Sequence, residues 1–275
     1  RSWFYWLKFD WIFLREEKYK ILSIDNYSSG SFKNHIKNKR VKYIKGDINN
    51  IEKYLFKYKN NINCIFHFGE YSRIHQSFKD YKKCFKSNIS GTSKVFSFCL
   101  ENNIKIVYSA TSASLGNKGN DENLSPYAFS KSKNLQLLIH LRKWFGLSFE
   151  ALYFFNVYGP RQISEGSMAT VIGIFEEQFT NKKFITVVKP GNQSRKFTHV
   201  KDTVKGCYLA WKKNLNKHYA LSNTKSYSII QVAKLFSKKI RLIKRRLGER
   251  NKSAAVNKIG SIKIIKIKCS IDLKN

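Results

Sequence analysis

From Lys20 onward the chain alternates short apolar runs with longer segments whose apolar residues recur every three or four positions. The runs read "KILSID", "VKYIKGD", "INCIFHFG", "IKIVYSA" and "FEALYFFNVYG"; between the last four lie "NIEKYLFKYKN", "SNISGTSKVFSFCLENN" and "SPYAFSKSKNLQLLIHLRKWFG". Strand followed by helix followed by strand returns the chain to one sheet by a crossover, so this alternation predicts an α/β chain built on a doubly wound parallel sheet. Ligands of such sheets sit beyond the carboxyl ends of the strands. The polar signatures fall there: Asp25, Asp47, His67 to Gly69, Ser109 to Thr111, and Asn156. After about Gly159 the alternation loosens into helix-like "MATVIGIFEEQF", strand-like "FITVV" and helix-like "IIQVAKLFSKKI". The expected division is 1–158 for the parallel-sheet domain and 159–275 for, mostly, a smaller domain closing over it.

The chain has 275 residues, long enough to bury a sizeable core, with 52 Lys and Arg against 18 acidic residues and a formal net charge of +34. Such an excess can mark a nucleic-acid partner. Here the lysines are spread along the whole chain and come with abundant Asn, Ile, Phe and Tyr, the residues of A/T-rich codons, so codon bias explains them and no nucleic-acid partner is expected. Five cysteines without a CxxC pair read as structural thiols of a reducing compartment, and no metal site is expected. The early apolar run is broken by Lys8 and Asp10 and is too short to span a bilayer, so the expectation is a cytoplasmic protein with no membrane partner.

Asp25 ends a strand in "LSIDNYSSG". An acidic side chain there accepts hydrogen bonds from both hydroxyls of an adenosine ribose and repels a 2'-phosphate, which points to NAD over NADP; alone, an ordinary turn aspartate fits equally well. Asp47 in "KGDI" supplies a second acid at the next strand end, within reach of an adenine amino group. Tyr127 and Lys131 in "SPYAFSK" lie four apart, on one face of a helix. A phenol is a poor base at neutral pH, and a neighbouring ammonium stabilises the phenolate and brings it into range. The bare spacing arises by chance in any Lys-rich chain. Its context, "YSATSASLG" after a buried-looking strand, adds Thr111 as a hydroxyl partner.

The ordered set "IDNYSSG", "GDI", "HFG", "SNISGT", "YSATSASLG", "YAFSK", "FFNVYGPRQ", "RKFTHVKD" and "RLGER" resembles the extended short-chain dehydrogenases, and within them the UDP-glucose 4-epimerase-like enzymes of the NAD-dependent epimerase/dehydratase family, from about Lys20 to Glu249. The resemblance implies a Rossmann-like domain binding NAD and a smaller substrate-binding domain, short at its C-terminal end. It implies Tyr127 as acid/base, Lys131 on the nicotinamide ribose and Thr111 on the reacting hydroxyl. It places Asn26, Ile48, Phe68, Gly69, Asn88 and Phe154, with Asp25 and Asp47, along the cofactor groove. Asn156, Arg195, Arg246 and Glu249 would hold a nucleotide-diphosphate sugar, and a homodimer would form through the helices carrying Tyr127 and Asn88. Dehydratases of this family place Asp-Glu after the threonine, and decarboxylases Ser-Glu; Thr111-Ser112-Ala113 has neither. What remains is epimerisation, expected at the fourth carbon of a UDP-sugar through a keto intermediate, with a related dehydratase or reductase, or a silent family member, as alternatives. Leu115, Phe154 and Lys196 replace the Tyr, Tyr and Asp of the family pattern, and the loop 117–124 is short.

The segment before Lys20 lacks the family's GxxGxxG turn, where missing side chains let a phosphate approach a helix amino end. Tryptophan has the single codon TGG, and a one-base slip turns it into a glycine codon. Permitted codons for "RSWFYW" shifted by one base yield Gly-Ala-Gly-Phe-Ile-Gly, with Trp3 and Trp6 forced to glycine and Asp25 lying 19 positions beyond the last of them. Residues 1–18 therefore read as out of frame; the alternative is an aromatic amphipathic helix for membrane or partner contact.

Overall fold

Side chains of the central strands alternate between two apolar clusters. In β4 (Lys105–Thr111), Ile106, Tyr108 and Ala110 face one cluster and Val107 the other; in β5 (Phe149–Phe154), Phe149, Ala151 and Tyr153 face the first and Leu152 the second. Both faces of these strands are buried, as a parallel sheet between helical layers requires. The computed structural model describes residues 12–15, 19–113, 121–248, 258–259 and 261–274. Within them β3 (Cys64–His67), β4 and β5 run parallel and are continued by His218–Ser222 and Ile262–Lys268, with Lys258–Ile259 antiparallel at the edge. A second parallel ladder pairs β1 (Ile21–Asp25) with β2 (Val41–Lys45). Leu22 and Ile24 share the first cluster with Ile65, and Ile21 shares the second with Cys64 and Phe66, so the same two cores cover both ladders.

The first cluster seats the helices Thr92–Glu101 and Pro126–Phe145. The second seats Val200–Lys213 together with residues 12–15, which are helical; Phe13 is buried, with its ring 5.4 Å from Phe66 and 5.0 Å from Trp211. The doubly wound α/β sheet is thus present.

A third cluster, built from Ile172, Phe175, Ile185, Val187, Phe197 and Val232, joins the helices Val171–Thr180 and Ile229–Phe236 to the parallel pair Ile185–Val188 and Ile240–Ile243. This is the smaller body. It does not take up the whole of 159–275: the helix Val200–Lys213 and the strands His218–Ser222 and Ile262–Lys268 belong to the large sheet. The chain thus leaves the large sheet for the smaller body and returns to it. No helix among the described residues is long and apolar enough to cross a membrane. None of the five cysteines is bonded to another, and no cluster of metal-ligating side chains occurs among the described residues.

Candidate active site

The helix Pro126–Phe145 starts where a local signal says it should. The Ser125 hydroxyl accepts from the Ala128 amide at 3.1 Å, and Pro126 fits the first turn, where no amide hydrogen is needed. This start directs Tyr127, Ser130, Lys131 and Asn134 inward against β4. The Tyr127 amide donates to Ser77 Oγ at 3.2 Å, tying the helix start to the helix Ile74–Lys79.

Tyr127, Lys131 and Thr111 line one cavity of about 400 Å³. Phe68 and Phe154 line it from the strand ends, their rings 5.6 Å apart, and Asn156, Arg195 and Arg246 line it towards the smaller body. Asn156 takes a left-handed φ of 23° and donates to the Lys196 carbonyl at 2.9 Å, binding the end of β5 to the strand that carries Arg195. Lys196 points elsewhere, donating to the carbonyls of Asn223 and Thr224, both at 3.2 Å; burial, with Lys266 nearby, lowers its pKa. The sequence reading also missed Arg73 and His75, which line the same cavity from the helix after β3. The only carboxylate on this cavity wall among the described residues is Glu70.

A second cavity of about 330 Å³ lies at the ends of β1 and β2 and is lined by Asp25, Asn26, Asp47, Ile48 and Gly69. Asp25 Oδ1 accepts from the Tyr27 amide at 2.7 Å, a turn that helps hold the strand end open to the cavity. Asp47 caps the short turn Ile48–Asn50, accepting from the Asn49 amide at 2.9 Å and from Asn26 Nδ2 at 2.9 Å. Burial raises its pKa, but these hydrogen bonds, that from Asn49 Nδ2 and the charge of Lys86 outweigh it and leave the carboxyl below its usual range.

Asn88 is placed differently from the expectation. It lines neither cavity, is fully buried on a π-helical turn, Lys86–Gly91, and exchanges bonds with the Tyr71 backbone at 2.6 and 2.9 Å while donating to Ser130 Oγ at 3.0 Å. It locks the segment after β3 to the Tyr127 helix. Glu249, Leu115, loop residues 117–120, and residues 1–11 and 16–18 of the segment read as out of frame lie outside the described residues.

The pattern behind the epimerase resemblance thus converges on two adjoining cavities at the carboxyl ends of a parallel sheet. A family model, "NAD dependent epimerase/dehydratase family", matches residues 12–222. The chain belongs to the NAD-dependent epimerase/dehydratase family. The cofactor of this family is NAD. An uncharacterised UDP-glucose epimerase of Bacillus subtilis is 28% identical over 70% of this chain and 65% of its own length. An ADP-L-glycero-D-manno-heptose-6-epimerase of Fusobacterium nucleatum is 28% identical over 62% and 57%. The matches to these two relatives thus cover less than two thirds of each relative's length. A solved structure, a UDP-N-acetylglucosamine 4-epimerase of Methanobrevibacter ruminantium in complex with UDP-N-acetylmuramic acid, superposes with a TM-score of 0.81 at 26% identity, over 92% of this chain and 86% of that one. The family match starts at residue 12, so it includes the helical residues 12–15 and excludes the run that holds Trp3 and Trp6.

Proposed function

We propose that this site epimerises a nucleotide-diphosphate sugar, with NAD as cofactor and the fourth carbon of a UDP-sugar as the reacting centre. The observation that carries this reading is the convergence of Thr111, Tyr127 and Lys131 on one cavity that also receives Asn156, Arg195 and Arg246. The two-cavity shape fits NAD: the adenosine half suits the wall holding Asp25 and Asp47, and the nicotinamide half suits the wall holding Phe68, Phe154 and Lys131. When bound, NAD accepts a hydride from a sugar carbinol and returns it.

The protein's own part is acid/base and positioning. Tyr127 takes the proton from the sugar hydroxyl and later gives it back, Thr111 holds that hydroxyl, and Lys131 supplies positive charge beside the phenol. Arg195 and Arg246 grip the diphosphate through charge-assisted bonds. Water elimination asks for an added carboxylic acid near the sugar. The residues after Thr111 are Ser112 and Ala113, and Glu70 is engaged by Lys131, Thr92 and Asn134, so the chemistry left is reversible oxidation at one carbon.

On the out-of-frame reading, Trp3 and Trp6 stand in for two glycines of the phosphate-binding turn. Full activity is therefore expected of a protein with Arg1→Gly, Ser2→Ala, Trp3→Gly, Tyr5→Ile and Trp6→Gly, and calorimetry should show tight NAD binding for it and weak or no binding for the unaltered chain. Tight binding by the unaltered chain would mean that the aromatic run is native structure. A thermal-shift panel of UDP-, GDP- and dTDP-sugars on the altered protein, followed by product analysis, tests the rest. UDP-sugars should stabilise it most and yield the C4 epimer; absence of any nucleotide-sugar effect, or product inverted at another carbon, rejects the assignment.

A further inference from the structure

The two cavities share one wall residue among those described, Glu70, which the sequence reading passed over. It stands three positions beyond the end of β3, and its side chain is 2% exposed. Its Oε1 accepts from Asn134 Nδ2 at 2.9 Å, Thr92 Oγ1 at 3.0 Å and the Tyr108 hydroxyl at 3.2 Å, and its Oε2 pairs with Lys131 Nζ. Lys131 Nζ also donates to the Ser109 carbonyl and lies 4.3 Å from the centre of the Tyr108 ring. A lone carboxylate is costly to bury. Donors from two helices and from β4, with an opposite charge among them, make it tolerable and fix its place. The ammonium that sits four residues from Tyr127 is therefore half of an ion pair.

The geometry points to Glu70 as a positioning residue of the Tyr127–Lys131 pair: it pins the ammonium in the wall between the cavities and offsets its charge at the phenol, so that Tyr127 ionises at a higher pH than it would beside an unpaired lysine. The catalytic meaning of this rests on the acid/base reading of Tyr127 above; the electrostatic effect itself requires neither cofactor nor turnover. Tyr71 shares an apolar cluster with Tyr127 and donates its hydroxyl to Asp80 Oδ2 at 3.1 Å, and both are the same in every variant below. His67, 2.8 Å from Thr92 Oγ1, is held neutral by burial, which lowers its pKa to about 4. Burial pushes the Tyr108 phenol well up, and Cys84, near Ser130, up to about 11. Arg73, His75, Arg195 and Arg246 face the same cavity and are the same in every variant below.

The test is the carbon-13 NMR titration of ring-labelled tyrosine in the unaltered chain, with the Tyr127 signal assigned by its loss in Tyr127→Phe. Glu70→Gln, which keeps the shape and removes the charge, should lower the pH of Tyr127 ionisation by about one unit or more. Glu70→Asp keeps the charge and should titrate with the wild type, even as its melting midpoint falls. The double variant Glu70→Gln/Lys131→Met buries neither charge and should titrate within about half a unit of the wild type, because a close ion pair is nearly neutral to its surroundings. Coincident titration of the Gln and Asp variants overturns the proposal. So does a double variant that titrates well above the wild type, since Lys131 would then be acting as an unpaired cation. A protein that lacks epimerase activity would leave all three titrations as expected, which separates this inference from the functional reading.

Discussion

Tyr127 reaches the first cavity from a helix and Thr111 from a strand end, so the proposed catalytic arrangement depends on the packing of one against the other. In the protein carrying the five N-terminal substitutions, Tyr127→Phe should lower kcat by roughly a hundred- to ten-thousand-fold and leave nucleotide-sugar binding nearly unchanged, because the lost hydroxyl acts on a proton in transfer. Steady-state kinetics beside calorimetry check this. Ala at Arg195 or Arg246 should instead raise KM about ten- to a hundred-fold, the size of one lost charged hydrogen bond to a diphosphate, with a smaller change in kcat; unchanged KM in both would place the diphosphate elsewhere. Tyr127 and Lys131 were legible in the sequence because both lie within one helical turn. Glu70 was not, because its partners Thr92, Tyr108, Lys131 and Asn134 are 22, 38, 61 and 64 positions away and no local pattern links them. The available signal was an acid directly after the "HFG" strand end, where a buried turn has little use for a charge.

At the level of elements, the helix Pro126–Phe145 is bounded by chemistry that can be read and altered. Ser125 caps its start, and Gly146 ends it at φ 76° with its amide bonded to the Arg142 carbonyl at 2.9 Å. That backbone angle is uncomfortable for any residue with a Cβ, although nothing lies within 4 Å of where one would project. Ser125→Ala and Gly146→Ala should each cost about 1 kcal/mol in urea unfolding, the first by orphaning an amide and the second by strain alone. The Ser125 change should also disturb the cavity, since Tyr127 lies two residues into the helix; the Gly146 change, at the far end, should not. The apolar spacing predicted this helix and the Thr92–Glu101 helix. It had nothing to say about the π-helical turn between Lys86 and Gly91, which exists so that Asn88 can bond Tyr71 and Ser130 while Gly91 passes beneath Ile48, whose side chain stands 2.6 Å from where a Cβ would project.

For the whole molecule, two buried histidines set an acid limit. Burial lowers both His67 and His218 to about 4, while the unfolded chain takes up those protons near pH 6.5. Their contribution is therefore fully present above about pH 6.5 and is lost as pH falls towards 4, on the order of 2 to 3 kcal/mol for each at the low end. Melting midpoints should drop between pH 6.5 and 4, and less steeply in His218→Gln; an identical slope would assign the loss to other groups. The large sheet was legible because its strands are apolar on both faces. The return of His218–Ser222 and Ile262–Lys268 to it was not, since a strand's sequence does not say which neighbour it will find, and the Lys-Ile alternation of "IKIIKIK" fits any half-exposed strand.

That return has a further consequence. Ala151 to Phe154 of β5 form a ladder with His218 to Leu221, which arrive only after the excursion through the smaller body. On a ribosome, β5 therefore leaves the exit tunnel some sixty residues before its partner, as an apolar strand with one side of hydrogen-bonding groups unclaimed. Such an edge is a template for any extended chain nearby. A polypeptide stopped at residue 158 would hold that edge open permanently, so the N-terminal portion is expected to be an aggregation nucleus when produced alone, and the later strands act, in effect, as the cover that makes the earlier ones safe.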